Sequence, residues 1–291
     1  MCKIIGVLFT NTVNGFGEIV GKRGPKMTDR LKMILDNLHK YNVDGLAKIN
    51  FGLTNDVVYD VLVVAPAYSP HKIIRDGSFQ ITELGSQSYC QGFLVEKDGL
   101  KFAWIKTAAG GCNMLDYLLI CGELRFRKLI FMGAVGALKE EFDIGDVCTP
   151  RFSVAGTLAN TYLKESIKDY VPFERIYPER NYVAKVIELA AENGYFIKEA
   201  SVFCTDSIAM EYTHLDEIKS FGTDLIEMET SAFYAIANIM DIPAIALLVV
   251  SDNSAAGVPL VGRNSEIQAK YEHSRCRVLP ELICMIAKMQ I

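Results

Sequence analysis

The sequence has 291 residues, of which 50% are hydrophobic and 22% are charged. This length fits one large domain or two modest ones, and the apolar content excludes a mainly disordered chain. The formal net charge of −5 argues against nucleic acid as a partner, because nucleic-acid-binding domains carry a basic surface. No stretch approaches the roughly 18 unbroken apolar residues of a membrane helix, so we expect no membrane partner.

Short apolar runs alternate with helical patterns along most of the chain. Apolar residues recur with helical spacing from Leu31 to Leu38 and from Val183 to Ala190, and residues 229–240 give a third predicted helix. Near-continuous Val, Ile and Leu runs predict strands at residues 4–9, 60–65, 102–107, 128–133, 147–150, 201–204 and 244–250. This alternation predicts an α/β fold, a three-layer α/β/α sandwich.

Residues 1–58 are predicted to form a strand–helix extension that packs on a main domain at residues 59–291. The segment MCKIIGVLFTNTVNGFG lacks a small-residue cleavage site, and we interpret it as a first strand and not as a signal peptide. The glycine-rich segment 14–24 is interpreted as a loop. The extension either caps a subunit interface or covers the active site, and the sequence leaves both open.

The eight cysteines are scattered and include no C-x-x-C pair. Free thiols in a reducing compartment explain this pattern better than disulfides or zinc, which predicts a cytoplasmic protein. The four histidines show no metal spacing, so no metal site is expected.

Ligands of α/β sheets collect at the carboxyl ends of strands, and four segments stand at such positions. Two are glycine turns, one containing Gly133 and Gly136 and one at residues 107–112, whose backbone N–H groups suit an anion or a sugar. A glycine turn after a strand is more often an ordinary tight connection than a ligand site.

The other two segments carry carboxyl groups. Glu229 lies at the start of a predicted helix, where the helix dipole alone would favour an acid. The functional alternative is that one of the two acids flanking Met228, Glu227 or Glu229, accepts hydrogen bonds from vicinal hydroxyls while Met228 packs on a sugar. Asp252 ends the most hydrophobic strand, as a turn cap or as a general acid whose pKa an apolar pocket raises.

Taken in order, these segments resemble the nucleoside phosphorylase/nucleosidase family. The resemblance runs from about residue 60 to residue 286 and is carried by DVLVVAPAYSPHKI, MGAVGALKEEFDIGDV and IEMETSAFYAIANIMDIPAIALLVVSDN. It implies an α/β/α fold around a mixed sheet, assembly into homo-oligomers such as dimers or hexamers, and cleavage of the N-glycosidic bond of a nucleoside. As this bond breaks, positive charge builds up on the ribose while the base departs as an anion.

The resemblance also implies roles for individual residues. Glu229 would bind the ribose 2′ and 3′ hydroxyls, Met228 would pack against the sugar, and Asp252 would protonate a purine at N7. The residues that would line the base pocket are Thr205, Ile208 and Ile226. A purine is favoured over a pyrimidine, because the family's uridine-cleaving members usually lack the aspartate.

The phosphate or nucleophile site is predicted around Ala67, His71, Gly133 and Ala134, but the family's phosphate arginines are missing there. Phe131 stands where one of them is expected. Residues that could substitute from new positions are Lys72, Arg75, Lys106 and Arg263.

The resemblance leads to three hypotheses for the function. The first is phosphorolysis, with inorganic phosphate as co-substrate and no other cofactor. The others are a hydrolytic nucleosidase, whose usual carboxylate is also absent, and a binding protein that has lost its chemistry. A dinucleotide-binding fold is disfavoured, since G-x-G-x-x-G is absent from every strand–helix junction.

Overall fold

The computed structural model describes residues 27–87 and 90–290. Twelve strands are found in this part of the chain: β1 (Val58–Tyr59), β2 (Val61–Val64), β3 (Gln80–Gln87), β4 (Cys90–Lys97), β5 (Leu100–Lys106), β6 (Arg125–Phe126), β7 (Leu129–Ala137), β8 (Val147–Ala155), β9 (Arg175–Ile176), β10 (Lys198–Cys204), β11 (Leu225–Glu227) and β12 (Ala244–Asn253). The α-helices are α1 (Asp29–His39), α2 (Leu46–Phe51), α3 (Pro70–Ile73), α4 (Gly111–Ile120), α5 (Arg180–Glu192), α6 (Ile208–Glu211), α7 (Leu215–Ser220), α8 (Thr230–Met240), α9 (Ser265–His273) and α10 (Leu279–Lys288).

Ten of the described strands form one mixed sheet. Its order is β11-β10-β8-β12-β7-β2-β5-β4-β3, with β9 paired to β8. The pairs β12–β7, β7–β2, β2–β5, β10–β8 and β10–β11 are parallel, whereas β12–β8, β5–β4 and β4–β3 are antiparallel. The strands thus form two parallel groups, one of β12, β7, β2 and β5 and one of β8, β10 and β11, and the two groups run antiparallel to each other.

Helices cover both faces of the sheet, which confirms the predicted three-layer sandwich. Successive side chains of β12 enter opposite cores: Ala246 and Leu248 pack with α4 and α8, whereas Leu247 and Val249 pack with α5 and α10. A strand buried on both faces reads as a continuous apolar run. The apolar runs were therefore a sound signal for the central strands.

Three strands extend beyond their predicted ends. Strand β7 continues through Gly133 and Gly136 to Ala137, and its pairing with β12 continues as well. The prediction of a glycine turn after this strand was therefore wrong, because neighbouring strands hold the segment extended. Strand β12 likewise includes Asp252, and β8 runs five residues beyond its predicted end at Pro150.

The described part of the predicted extension begins with α1. Thr28 caps this helix by accepting a hydrogen bond from the Leu31 N–H (3.1 Å), and Leu31 and Leu35 are buried in the core that contains α8. The predicted strand at residues 4–9 and the loop at 14–24 lie outside the described residues. The division into 1–58 and 59–291 stays a prediction.

Among the described residues, no helix is both long enough and apolar enough to cross a lipid bilayer. The seven described cysteines are free thiols, and all except Cys112 are buried.

Candidate active site

A cavity of about 240 Å³ opens at the carboxyl ends of β2, β5, β7, β10, β11 and β12. Four carboxylic acids line it, namely Glu211, Glu227, Glu229 and Asp252. The remaining lining residues are Pro66, Ala67, Tyr68, Ala109, Phe131, Gly133, Ala134, Val135, Gly136, Ile208, Ile226, Met228, Ser251 and Leu260. The cavity is therefore an apolar hollow whose ionisable groups are all acidic.

The start of α8 carries two of these acids. Strand β11 ends at Glu227, and Glu229 takes the N-cap position of the helix. The Glu227 carboxylate accepts hydrogen bonds from the N–H of Glu229 (2.7 Å), the N–H of Thr230 (2.9 Å) and the Thr230 hydroxyl (2.8 Å). Glu227 thus satisfies N–H groups that a helix start leaves without a partner.

Glu229 is held from a second direction by the loop between β5 and α4. The backbone N–H of Gly110 donates a hydrogen bond to the Glu229 Oε1 atom (2.5 Å), and Gly110 has a φ of 104°. A side chain at this φ would be strained, so glycine lets the loop present its N–H group. Burial, and after it the negative charge of Glu227, raises the pKa of Glu229 to about 8.

Asp252 lies on β12, one residue before the end of that strand. The Ser251 hydroxyl donates to its Oδ1 atom (2.6 Å), and pairing of β12 with β7 is shifted between Val250 and Asp252. Burial raises the pKa of Asp252, while the hydrogen bond from Ser251 and the charge of Arg263 act against this rise. The net effect is a carboxyl that retains its proton at higher pH than an ordinary aspartate does.

Residues 110–283, more than half of the chain, match the family model described as Phosphorylase superfamily. The chain belongs to this superfamily. It is 28% identical over 131 residues to the DeoD-type purine nucleoside phosphorylase of Anoxybacillus flavithermus, an overlap of 45% of this chain and 54% of that relative. The corresponding enzyme of Alkaliphilus metalliredigens is 29% identical over 168 residues, which are 57% of this chain and 70% of the relative.

A crystal structure of the Campylobacter jejuni 5′-methylthioadenosine/S-adenosyl homocysteine nucleosidase superposes with a TM-score of 0.62 at 16% identity. The superposition covers 78% of this chain and 99% of the nucleosidase. This similarity shows the fold, and the chain spans about half the length of the first curated relatives that it matches. The predicted nucleoside phosphorylase/nucleosidase family is confirmed.

Eight of the ten residues that the sequence predicts for the site of this phosphorylase-superfamily protein line one cavity. These are Ala67, Gly133, Ala134, Ile208, Ile226, Met228, Glu229 and Asp252. Their individual roles stay predictions. These eight positions lie within or shortly after β2, β7, β10, β11 and β12.

His71 and Thr205 do not line this cavity. The His71 ring packs edge-on against Phe93 of β4, with 6.0 Å between ring centroids, and the histidine is exposed on the short helix α3. The Thr205 hydroxyl accepts a hydrogen bond from the Ser207 N–H (3.2 Å), and Thr205 lines a neighbouring pocket. The local contacts of both residues take their side chains away from the predicted positions.

The cations proposed as substitutes for the missing arginines also lie outside the cavity lining. Arg75 pairs with Glu272 (3.0 Å), and Lys106 donates to the Gln91 side chain (3.0 Å). Arg263 donates to the backbone carbonyl of Ser251, which is the only one of these contacts that reaches a residue of the cavity among those described.

The sequence reasoning missed Glu211. This residue ends α6 and lies three positions after Ile208, so both fall on one helix face. That spacing was a usable signal once residue 208 had been assigned to the base pocket. Burial, and in addition the charge of Asp252, raises the pKa of Glu211 to about 7.

Proposed function

We propose that this protein cleaves the N-glycosidic bond of a purine nucleoside. The observation that carries this proposal is that Glu229 and Asp252, from segments of β11–α8 and β12, line the same cavity. Both have a raised pKa caused mainly by burial. The printed names of the relatives, purine nucleoside phosphorylases and a methylthioadenosine nucleosidase, support the same class of substrate.

The proposed roles follow the charge that the reaction develops. Asp252 is the general acid that protonates N7 of the base, which turns a poor anionic leaving group into a neutral one. Glu229 accepts hydrogen bonds from the ribose hydroxyls and stabilises the positive charge that builds up on the sugar. Met228 supplies an apolar contact for the sugar, and Ile208 and Ile226 flank the base.

The charge of the cavity favours water as the nucleophile. Four carboxylic acids line it, and none of the lining residues is a Lys or Arg of the described chain. A phosphate dianion would meet no cationic side chain of the cavity lining, whereas a neutral water molecule needs none. Phosphorolysis with inorganic phosphate, the first reading of the sequence, remains the alternative that the experiment below separates.

The test is release of free base from a panel of purine and pyrimidine nucleosides, with and without 10 mM phosphate, followed by liquid chromatography. We expect purine release in both conditions and ribose, not ribose 1-phosphate, as the product. A strict requirement for phosphate would assign phosphorolysis instead. No release from any nucleoside at high protein concentration would overturn the proposal.

Asp252→Asn tests the role of the acid. We expect it to lower purine release by about 10²- to 10⁴-fold, the usual contribution of a general acid. Cleavage of p-nitrophenyl riboside should change little, because the nitrophenolate leaves without protonation. An equal loss on both substrates would contradict the assignment of Asp252.

A further inference from the structure

Glu211 is a buried carboxyl group without a partner. The residue is 8% exposed and lines the same cavity as Asp252, and its carboxyl group forms no hydrogen bond or ion pair with any described residue. Another buried acid at this site, Glu227, accepts several hydrogen bonds at the start of α8. The Glu211 carboxyl group accepts no such hydrogen bonds from the described residues.

A buried carboxyl without a hydrogen-bond partner costs stability, so its presence calls for a reason. Glu211 also lines a neighbouring pocket, whose other lining residues are Phe173, Phe203, Thr205, Met210, His214, Glu217, Ile218 and Phe221. In such surroundings a hydrogen bond to an ionised oxygen is stronger than in water. The group is therefore placed to recognise a ligand that donates an N–H.

The position of Glu211 in the cavity defines which part of the ligand it meets. The charge of Asp252 acts on the Glu211 carboxyl group, and Ile208 precedes Glu211 on the same helix. In the proposed function these two neighbours belong to the base end of the cavity. In the proposed function Asp252 protonates N7 of the five-membered ring. The polar edge of the purine that remains for Glu211 is then that of the six-membered ring.

We propose that Glu211 determines base specificity by accepting a hydrogen bond from an N–H group on the six-membered ring of the purine. Adenine offers the exocyclic amino group, and hypoxanthine and guanine offer N1–H. Unsubstituted purine offers neither. This inference rests on the proposed function and names the substrate class more narrowly: purine nucleosides that carry such a donor.

The experiment compares adenosine, inosine and purine riboside, which differ only in these groups, with the protein and two variants at pH 8. Glu211→Met removes the acceptor and keeps a helix-forming side chain of similar length, whereas Glu211→Gln keeps a neutral acceptor oxygen. We expect Glu211→Met to lower kcat/KM for adenosine and inosine by about 10- to 100-fold, the range for a hydrogen bond to a charged group. Purine riboside should change by less than about threefold, and Glu211→Gln should recover part of the loss.

A merely structural role would lower all three rates together, and that result would overturn the inference. An unchanged preference in Glu211→Met would overturn it as well. If the protein releases base from no nucleoside, the proposed function fails. The role of Glu211 is then decided by calorimetric binding of adenine and hypoxanthine against unsubstituted purine, with equal affinities in the protein and Glu211→Met counting against it.

Discussion

The carboxylate of Glu227 accepts a hydrogen bond of 2.7 Å from the backbone N–H of Glu229, two residues further along the chain. One acid thus fixes the peptide that carries the other. The same proximity contributes to the raised pKa of Glu229, after burial. Glu227 therefore contributes both to the position of Glu229 and to its raised pKa.

Replacement of Glu227 by glutamine tests this dependence. The amide keeps the volume but turns one acceptor oxygen into an NH₂ group, which cannot accept from the N–H groups at the start of α8. We expect a loss of about 1–3 kcal/mol in the free energy of unfolding and a fall in the pKa of Glu229. Denaturant titration and ¹³C NMR of labelled carboxyl groups measure the two effects. Glu188→Gln, on the exposed face of α5, is the matched control and should change neither.

Nucleoside affinity should rise with pH. Glu229 accepts hydrogen bonds from two hydroxyls best when it is ionised, and its pKa in the free protein is about 8. Binding then favours the deprotonated form, so affinity increases from pH 6 towards pH 9, by up to about tenfold per unit below the pKa. Calorimetry with a non-cleavable nucleoside analogue measures this slope. A 2′,3′-dideoxy analogue lacks both hydroxyls, and an equal slope for it would contradict the role of Glu229.

A methyl group at position 136 should disturb the general acid without unfolding the protein. A Cβ built on Gly136 lies 2.9 Å from the Asp252 Oδ2 atom and 3.2 Å from the Ile226 Cγ2 atom. The carboxyl must move, since contacts under about 3 Å do not persist. We expect Gly136→Ala to lower kcat for purine nucleosides at least about tenfold, because a displaced acid transfers its proton poorly. The melting temperature should fall by only a few degrees, and cleavage of p-nitrophenyl riboside should be largely retained.

We expect Lys128 to make the free energy of unfolding rise with pH in mild alkali. Its ammonium group is buried and donates to the carbonyls of Ala287 (2.8 Å) and Met289 (2.7 Å), and burial lowers its pKa to about 8. Between this pKa and the ordinary value near 10.5, the unfolded chain binds the extra proton, so stability rises with pH across that window. We expect a gain of about 1–3 kcal/mol from pH 8 to 10, relative to Lys128→Met over the same range. The same change in the free energy of unfolding with pH in the protein and in Lys128→Met would contradict this expectation.

The central strands were predictable because burial on both faces leaves a plain sequence signal. The ends of β7 and β12 were not predictable in the same way. Gly133 and Gly136 suit a turn, and only pairing with distant strands keeps the segment extended. The hairpin of β3 and β4 was missed because polar residues interrupt it, as befits strands at the edge of a sheet.

The sequence predicted Asp252 and Glu229 at strand ends, and the structure places Asp252 within the last residues of β12 and Glu229 two residues after β11. Residues carried by short helices were harder to place. His71 on α3 and Glu211 on α6 sit within a few residues of strand ends, and one lies outside the cavity while the other lines it. The direction in which a four-residue helix turns its side chains depends on tertiary packing, which no local pattern records.

The residues at the two ends of the cavity differ in how deeply they are buried. Glu227, Glu229 and the start of α8 are buried within the core of the sandwich, whereas Ile208 sits 44% exposed on a short helix outside it. Substitutions of Ile208 should therefore cost little folding free energy, whereas substitutions of Glu227 and Glu229 should cost more. During divergence within this superfamily, such an arrangement would let the preferred base drift while the sugar requirement stays constant.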